Sequence, residues 1–191
     1  MEEKLTMNEE KKEKKDTGIL GWIKDILLAV LIAALILLFI KPTIVKESSM
    51  QPTLYENDYL LLSKQAYNLF GEPERGDIVV VHSDLTTETG MEKLLIKRII
   101  GLPGDTVEII YNEIYINGEY LEEDYIMEKN TVAGDLGTYF EVPEGQLFVL
   151  GDNRRVSADS RSSYVGYVPI DEVMGKAVLR LYPFNKITLF K

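Results

Sequence analysis

Four short segments hold most of the residues whose types and spacing could do chemistry. They are Glu47-Ser48-Ser49-Met50-Gln51-Pro52-Thr53-Leu54, Arg75-Gly76-Asp77, Lys97-Arg98-Ile99-Ile100-Gly101-Leu102-Pro103-Gly104-Asp105 and Gly151-Asp152-Asn153-Arg154-Arg155-Val156-Ser157-Ala158-Asp159-Ser160-Arg161. Taken alone, each has an ordinary structural interpretation: a Ser/Pro turn, a turn with a local ion pair, a strand, and a loop whose groups satisfy one another. The strand is unusual because alternation puts Lys97 on the same face as Leu95 and Ile99.

The inventory of nucleophiles and bases limits the chemistry further. The 191 residues include no cysteine and one histidine, His82. A cysteine protease, a thiol redox enzyme and a cysteine-based zinc or iron–sulfur site are excluded, as is a metal site that needs several histidines. A Ser-His-Asp hydrolase would have to use His82, which follows a valine run outside the four segments and is interpreted as a strand-end or surface residue. An enzyme with a nucleophile here is therefore expected to use another base.

The four segments become specific when they are read together, in this order, downstream of one apolar stretch. The patterns Ser-Met-x-Pro-Thr-Leu, Arg-Gly-Asp entering a strand, Lys-Arg before Gly-Leu-Pro-Gly-Asp, and Gly-Asp-Asn-Arg-x2-Ser-x-Asp-Ser-Arg closely resemble those of the bacterial type I signal peptidases, or leader peptidases. These are membrane-bound serine proteases that remove signal peptides. The resemblance extends to Ala177, and the single apolar stretch and small insertion resemble the shorter, single-span members.

The resemblance implies that Ser49 is the nucleophile and Lys97 the general base. A lysine has a reference pKa of about 10.4, so this pKa must fall before the amine can accept a proton. Burial can lower it by up to about 3–5 units, and the apolar neighbours Leu95, Ile96 and Ile99 supply such a setting. The neutral amine then takes the Ser49 proton as the hydroxyl attacks the scissile carbonyl, and water hydrolyses the resulting acyl-enzyme.

The same resemblance assigns supporting residues and implies no cofactor and no metal. Ser157 matches a serine that helps to orient the lysine. Asp159 matches an aspartate that supports the site through an ion pair with the following arginine, here Arg161. A direct contact between Asp159 and the lysine would raise the pKa of the base, so pairing with Arg161 is the more useful arrangement. Asp152 and Arg98 match positions of structural support.

Glu47 departs from the family pattern. Two residues before the nucleophile, some relatives have a serine whose hydroxyl is the second oxyanion donor, after the backbone N–H of the nucleophile, and others have glycine. This chain has Glu47 at that position. Because an ionised carboxylate that faces a developing oxyanion is unfavourable, Glu47 is expected to point away or to be protonated.

Substrate recognition is also carried over from the family, which prefers small residues, commonly Ala, one and three positions before the cut. Shallow apolar pockets favour such residues by excluding larger ones. Val45, Met50 and Ile96 flank the dyad in sequence and are candidates for the pocket lining. The peptide is expected to bind extended, along a strand edge beside the nucleophile.

A membrane anchor is predicted near the N-terminus. Residues Ile26–Ile40 carry no charge, and extension back to Trp22 gives a stretch near the length of a membrane span. No small-x-small cleavage site follows Ile40, which disfavours a cleaved signal peptide. Lysines are concentrated before the apolar stretch, so the positive-inside rule puts the N-terminus in the cytoplasm and the rest outside. The lysines compared are Lys11, Lys12, Lys14, Lys15 and Lys24 before it, and Lys41 and Lys46 after it.

The predicted organisation is a charged cytoplasmic tail (1–21), a transmembrane anchor (22–41) and an extracytoplasmic β-rich peptidase domain (42–191). The fold class is mostly β, with one N-terminal transmembrane helix, short strands and an inserted hairpin and loop region at about 107–145, in which 122–140 is polar. Pro42 is expected to end the helix. The predicted strands are Tyr59–Leu62, Asp77–Val81, Leu94–Ile100, Thr106–Tyr111, Glu113–Ile116, Gln146–Leu150, Glu172–Arg180 and Lys186–Phe190, with hairpin turns near Tyr111–Glu113 and at Asn117–Gly118.

The expected partners are signal peptides of exported preproteins and the lipid bilayer of the plasma membrane. Nucleic acid is not expected, because 21 Lys and Arg against 31 Asp and Glu provide no basic excess. One alternative is a catalytically silent, membrane-anchored scaffold or peptide-binding protein that keeps the same fold. Another is a self-cleaving repressor-type Ser-Lys protease, which the acidic, membrane-tethered chain disfavours.

Overall fold

The computed structural model describes residues 18–67, 71–83, 85–86, 90 and 92–190. Residues 1–17 of the predicted cytoplasmic tail therefore lie outside the described residues. The chain divides into two compact units, one ending at Leu37 and one running from Leu38 to Lys191. The N-terminal unit is built around helix α1 (Ile19–Phe39), whose bounds differ from the predicted anchor at 22–41.

The helix ends two residues before the predicted C-terminal end of the anchor, because the residues after Phe39 form a strand. Strand β1 (Ile40–Ile44) pairs antiparallel with the strand that starts at Tyr59, so the backbone of Ile40 satisfies its hydrogen bonds in a sheet. Pro42 lies within β1 and is not the residue that ends the helix. A proline is tolerated there because β1 is an edge strand, where a missing N–H removes no interior ladder bond.

The C-terminal unit is built from short antiparallel strands in two sheets. After β1 come β2 (Tyr59–Ser63), β3 (Ile78–Val81), β4 (Leu95–Gly101), β5 (Thr106–Ile110), β6 (Glu113–Ile116), β7 (Glu119–Tyr120), β8 (Tyr139–Glu141), β9 (Gln146–Leu150), β10 (Val168–Pro169), β11 (Val173–Tyr182) and β12 (Thr188–Leu189). The larger sheet has the order β1-β2-β11-β3-β4-β9-β10, with β12 on β11, and the smaller has the order β7-β6-β5-β8. The prediction of a mostly β domain after one apolar N-terminal helix is confirmed.

Strand β3 lies in the middle of the larger sheet and buries both of its faces. Ile78 and Val80 belong to one hydrophobic cluster, whereas Val79 and Val81 belong to another. Alternating side chains point to opposite faces, which explains why this strand is an uninterrupted apolar run. Its neighbour β4 pairs with it so that Val79 lies opposite Lys97. The catalytic candidate Lys97 is thereby placed on an interior strand.

The smaller sheet lies in the part of the chain where the sequence predicts an insertion. Both predicted hairpin turns are present: Tyr111 and Asn112 have φ of 52° and 65°, and Asn117 and Gly118 have φ of 53° and 81°. Two consecutive residues with positive φ match the twist of a tight hairpin. The predicted polar segment 122–140 is mostly irregular, and β8 begins at its end.

The predicted ion pair within the Arg75-Gly76-Asp77 turn is absent. Arg75 instead pairs with Asp105 at 2.9 Å, and Asp77 pairs with Lys176 of β11 at 2.6 Å. The turn is therefore tied to two distant parts of the domain, and the Asp77 carboxylate also accepts a hydrogen bond from its own turn, at the N–H of Glu74.

Candidate active site

Ser49 sits in a single turn of 3-10 helix, Ser48–Met50, that follows an extended segment. The Met50 side chain is buried in the cluster that includes Val45 and Leu54, and this packing fixes the turn to the core. The N–H of Leu54 donates to the carbonyl oxygen of Met50 at 2.8 Å, which closes the chain behind the turn. The Ser49 side chain is thereby held near the surface of the sheet, with 7% of the residue exposed.

Lys97 extends from β4 to this serine. Its Nζ atom lies 2.9 Å from Ser49 Oγ and donates a second hydrogen bond, of 3.1 Å, to the carbonyl oxygen of Ile96. The residue is completely buried, although lysine is almost never fully buried unless it is paired. The hydrogen bond to Ser49 joins two residues that the sequence separates widely, so the structure brings the predicted nucleophile and base into direct contact.

Burial sets the protonation of Lys97. Desolvation lowers the pKa of its amine to about 8, from an ordinary value of 10.5. The charges of Asp159, Glu47 and Asp152 act in the opposite direction, and that of Lys93 lowers the pKa further. Because the desolvation effect exceeds the others, about a tenth of the amine is neutral at pH 7, against less than a thousandth for an unshifted lysine, and this neutral fraction can accept a proton.

Asp159 is paired with Arg161 in the arrangement expected from the sequence. Arg161 donates to both carboxylate oxygens of Asp159, at 2.8 and 2.9 Å, and both side chains are buried. Arg161 also donates to the carbonyl oxygens of Val132 and Arg154, which fixes the guanidinium. The counter-charge reduces the effect of Asp159 on the nearby lysine.

Ser157 lies close to the nucleophile, but its hydroxyl makes no hydrogen bond. Its Oγ is the only buried side-chain oxygen or nitrogen in the described part of the chain that lacks a partner. A Cβ at Gly151 would overlap with this hydroxyl and lie 2.5 Å from the carbonyl oxygen of Ser49. Gly151 therefore permits a close approach between the segment that carries Ser49 and the segment that carries Ser157. The role of Ser157 in orienting Lys97 stays a prediction.

Asp152 and Arg98 form the main support beneath the nucleophile turn. Arg98 donates to both oxygens of Asp152, at 2.8 and 2.7 Å, and also to the carbonyl oxygen of Gly76 at 2.8 Å. Thr53, four residues beyond the nucleophile, donates to Asp152 at 2.5 Å. The guanidinium lies 4.0 Å from the centre of the Tyr125 ring. The pair thus connects β4, the nucleophile segment and the loop after β9.

Asn153 is a positioning residue that the sequence prediction missed. Its backbone N–H donates to the carbonyl oxygen of Ser49 at 2.9 Å, and its side-chain amide donates to the carbonyl oxygen of Ser48 at 3.2 Å. It follows Asp152 directly in the fourth segment, so its place in that motif was the available signal. These two bonds attach the nucleophile turn to the loop that carries Asp159.

A cavity of about 470 Å³ opens beside the dyad. The predicted pocket residues Val45, Met50 and Ile96 all line it, together with Ser49. The sequence prediction missed four further apolar lining residues. These are Pro42 and Ile44 of β1, Val80 of β3 and Leu94 of the segment before β4. The cavity is therefore apolar in its interior and open to a chain that approaches Ser49.

Glu47 points toward a cation at the rim of this cavity. Its Oε1 lies 2.5 Å from Nζ of Lys93, and the two side chains are 42% and 33% exposed, respectively. The structure thus pairs the Glu47 carboxylate with Lys93. The sequence alone did not decide whether this carboxylate points away from the oxyanion or is protonated. His82 is also as expected: it lies at the end of β3 and pairs with Glu92 at 3.2 Å in an exposed position.

The described residues hold no group of three or more His, Asp or Glu side chains arranged to bind a metal ion. Residues Gly21–Phe39 of α1 form a stretch that is long and apolar enough to cross a membrane, judged by length and composition. None of the residues in this stretch is buried inside the protein, as a helix in contact with lipid requires.

Comparisons with known proteins find one family model, described as "Signal peptidase, peptidase S26", that matches residues 19–182. The chain is 39% identical to signal peptidase I of Bacillus licheniformis over 192 residues, which cover 95% of this chain and 98% of that protein. It is 37% identical to signal peptidase I T of Bacillus subtilis over 194 residues, covering 97% of each chain. A crystal structure of a signal peptidase I from Enterococcus faecalis is 37% identical, with a TM-score of 0.44, and covers 55% of this chain and 96% of that one.

Proposed function

Since the chain belongs to the signal peptidase family, peptidase S26, we propose that it removes N-terminal signal peptides from secreted preproteins with Ser49 as nucleophile and Lys97 as general base. As a member of that family the chain is a hydrolase of the serine protease class. The observation that carries the assignment of residues is the 2.9 Å contact between Lys97 Nζ and Ser49 Oγ.

The reaction follows from that contact and from the fraction of the amine that is neutral. As Ser49 Oγ attacks the scissile carbonyl carbon, its proton passes to Lys97 Nζ, and a tetrahedral oxyanion forms. The resulting ammonium returns the proton to the leaving amine of the mature protein as the C–N bond breaks, which leaves the signal peptide as an ester on Ser49. Lys97 then accepts a proton from the water that attacks the ester carbonyl, and returns this proton to Ser49 Oγ as the C–O bond breaks and the signal peptide leaves as a free carboxylic acid.

The oxyanion requires hydrogen-bond donors, and the backbone N–H of Ser49 is proposed as the first. The Ser48–Met50 turn supports this role, because it is held by Asn153 on one side and by Met50 in the core on the other. The Glu47 carboxylate is directed to Lys93, which reduces its repulsion of the developing negative charge.

Specificity for small-x-small sites, such as Ala-x-Ala, is proposed to come from the apolar cavity. Val45, Met50 and Ile96 line its interior beside Ser49, and a well-packed apolar wall excludes larger side chains by steric overlap. An extended signal peptide is proposed to lie between the segment that precedes Ser49 and the segment that precedes β4.

The chain is membrane-anchored through α1, and we propose that it crosses the plasma membrane once with its N-terminus in the cytoplasm. The lysine distribution supports this orientation, because the positive-inside rule concerns lysines and arginines close to the span. The peptidase domain then faces the side on which exported preproteins emerge.

Replacement of Ser49 by alanine tests the proposed function. The full chain in detergent is expected to cut a preprotein after an Ala-x-Ala site, and Ser49→Ala is expected to lower kcat/KM by about 10³-fold or more, because the ester cannot form. Ser48→Ala is the matched control, since its carbonyl oxygen, which accepts the Asn153 bond, is retained. Product formation is measured by gel and mass spectrometry. If Ser49→Ala cuts the preprotein as fast as the active Ser48→Ala control, Ser49 is not the nucleophile. If the wild type does not cut the preprotein, a silent scaffold is favoured.

The pH dependence provides a second test. Below the pKa of Lys97 the amine is protonated, so kcat/KM is expected to rise about tenfold per pH unit and to level off above an apparent pKa of about 8. The measurement is kcat/KM for a synthetic signal-peptide substrate between pH 5 and 10, with salt held constant. A rate that still rises at pH 10 without levelling off, as expected for a lysine with an ordinary pKa, would contradict control of the pKa by burial.

A further inference from the structure

The ion pair between Glu47 and Lys93 lies between the two segments that carry the dyad. Glu47 stands two residues before Ser49, and Lys93 stands two residues before the start of β4, which carries Lys97. Both residues line the 470 Å³ cavity, and their charged atoms are 2.5 Å apart. The ion pair therefore links the two walls of the cavity beside the reacting groups.

The backbone on each side of this link is anchored independently. On the first wall, Val45 exchanges backbone hydrogen bonds with Asp58 and Asn57, at 2.9 and 2.8 Å. On the second, the N–H of Lys93 donates to the carbonyl oxygen of Leu85 at 2.8 Å, and the Lys93 carbonyl oxygen accepts a 2.6 Å bond from Ser83. Because the backbone is already held, the ion pair is not needed to form either wall.

The Glu47 side chain also does not serve its own helix. Glu47 is the N-cap residue of the Ser48–Met50 turn and has an extended backbone, with φ of −127° and ψ of 158°. Glutamate is not among the preferred N-cap residues, and the Glu47 side chain makes no hydrogen bond to the first turn. Its carboxylate instead reaches across to Lys93.

We propose that Glu47 and Lys93 are positioning residues of the active site, whose ion pair joins the two cavity walls and keeps opposite charges in balance beside Ser49 and Lys97. This inference rests on the proposed function, because it takes Ser49 and Lys97 as the reacting pair. It applies to a position at which the family pattern has serine or glycine and this chain has a carboxylate.

The charges around Lys97 explain why balance matters. Asp159 and Asp152 also face the lysine, but each has its own buried arginine, Arg161 and Arg98, respectively. Glu47 and Lys93 act on Lys97 in opposite directions, so each offsets the other. Two further charged residues line the cavity: Lys46, and Glu92, which pairs with His82. Removal of one member of the pair leaves the other as an uncompensated charge at the rim.

The two losses are not equivalent for catalysis. Without Lys93, the Glu47 carboxylate raises the pKa of Lys97 and faces a site where negative charge develops in the transition state. Without the Glu47 charge, the Lys93 ammonium lowers that pKa and attracts the oxyanion. Loss of Lys93 is therefore expected to be the more harmful change at pH 7.

The test compares pH profiles of kcat/KM for the full chain in detergent, with a synthetic signal-peptide substrate. Glu47→Gln is expected to move the apparent pKa of the rate down by about half a pH unit, and Lys93→Met to move it up by a similar amount, the scale of a partly exposed ion pair. The double variant is expected to return close to the wild-type profile. Glu128→Gln is the matched control, because Glu128 forms an exposed pair with Arg155 and is not among the charges that act on Lys97.

Opposite shifts in the two single variants, with recovery in the double variant, would support the inference. If the pH profiles of the single variants are unchanged, or shift in the same direction, the inference is overturned. This holds even if activity or melting temperature falls. An ion pair with only a structural role lowers activity, but its two single variants do not shift the pH profile in opposite directions. The proposed function fails separately: in that case the wild type does not cut the substrate, or a variant without Lys97 still cuts it.

Discussion

Replacement of Lys97 by methionine is expected to lower kcat/KM for a signal-peptide substrate by about 10³-fold or more, while the protein stays folded. Methionine is close to lysine in length, and it fills the buried position without an amine. The hydroxyl of Ser49 then has no base, because the amine 2.9 Å away is the nearest group suited to accept its proton. Cleavage rates are measured by mass spectrometry, and folding by thermal melting.

The melting temperature separates loss of chemistry from loss of structure. Removal of a fully buried amine also removes its desolvation cost, so Lys97→Met is expected to melt at or above the wild-type temperature. Lys176→Met is the matched control: Lys176 and Lys97 both lie opposite Val79, on the two strands that flank β3. Lys176 pairs with Asp77, so its loss is expected to lower stability and to leave the dyad in place. More than a tenth of wild-type activity in Lys97→Met would remove Lys97 from the role of base.

Lys97→Arg extends this test to the charge. An arginine has a pKa above 12 and cannot become neutral in the protein, so it keeps a cation at the site without providing a base. It is therefore expected to be inactive and, unlike the methionine variant, to melt below the wild type, because the larger guanidinium must be buried.

The Ser49–Lys97 pair could be predicted from the sequence because each residue is identified by its immediate sequence neighbours. Ser49 and Lys97 each stand in a short motif, and the alternation of β4 already indicated that Lys97 shares a face with aliphatic residues. The ion pair of Asp159 with Arg161 was accessible for the same reason, since only Ser160 separates its partners in one segment.

The rest of the site depends on contacts between distant parts of the chain. Lys93 lies outside the four segments, and nothing in its sequence context indicates that it meets Glu47. The buried pair of Glu123 with Arg154 joins the predicted polar insertion to the fourth segment in the same way. Such pairings follow from how strands are arranged in space, which residue types and spacing do not determine.

Strand β1 was missed for a different reason. Ile40 completes the apolar run that begins in the helix, and Pro42 is a common signal for the end of a helix. The structure shows that residues 40–44 pair with β2 as an edge strand, an environment that also accepts proline. Both signals were genuine, but sequence alone did not distinguish a helix end from an edge strand.

The buried pair of Asp152 with Arg98 is expected to produce the largest loss of stability. Asp152→Asn leaves the guanidinium of Arg98 largely buried without its counter-charge, and breaking a buried pair by removal of one partner costs about 3–5 kcal/mol. For a domain of this size, the melting temperature is expected to fall by roughly 10 °C. Activity is expected to fall as well, because the neighbouring Asn153 holds the carbonyl oxygen of Ser49.

A double variant separates the charge imbalance from the loss of contacts. In Asp152→Asn with Arg98→Met, no buried charge remains unpaired, so the free energy of unfolding is expected to lie above that of Asp152→Asn alone. Glu128→Gln removes a carboxylate from an exposed ion pair and is expected to cost less than about 1 kcal/mol. Unfolding is measured by thermal and denaturant melts of the full chain in detergent. Two outcomes would contradict this prediction: Asp152→Asn costs no more than Glu128→Gln, or the double variant is less stable than both Asp152→Asn and Arg98→Met. Either result would mean that the pair acts through packing and hydrogen bonds. The charge balance beneath Ser49 would then not be what stabilises the nucleophile turn.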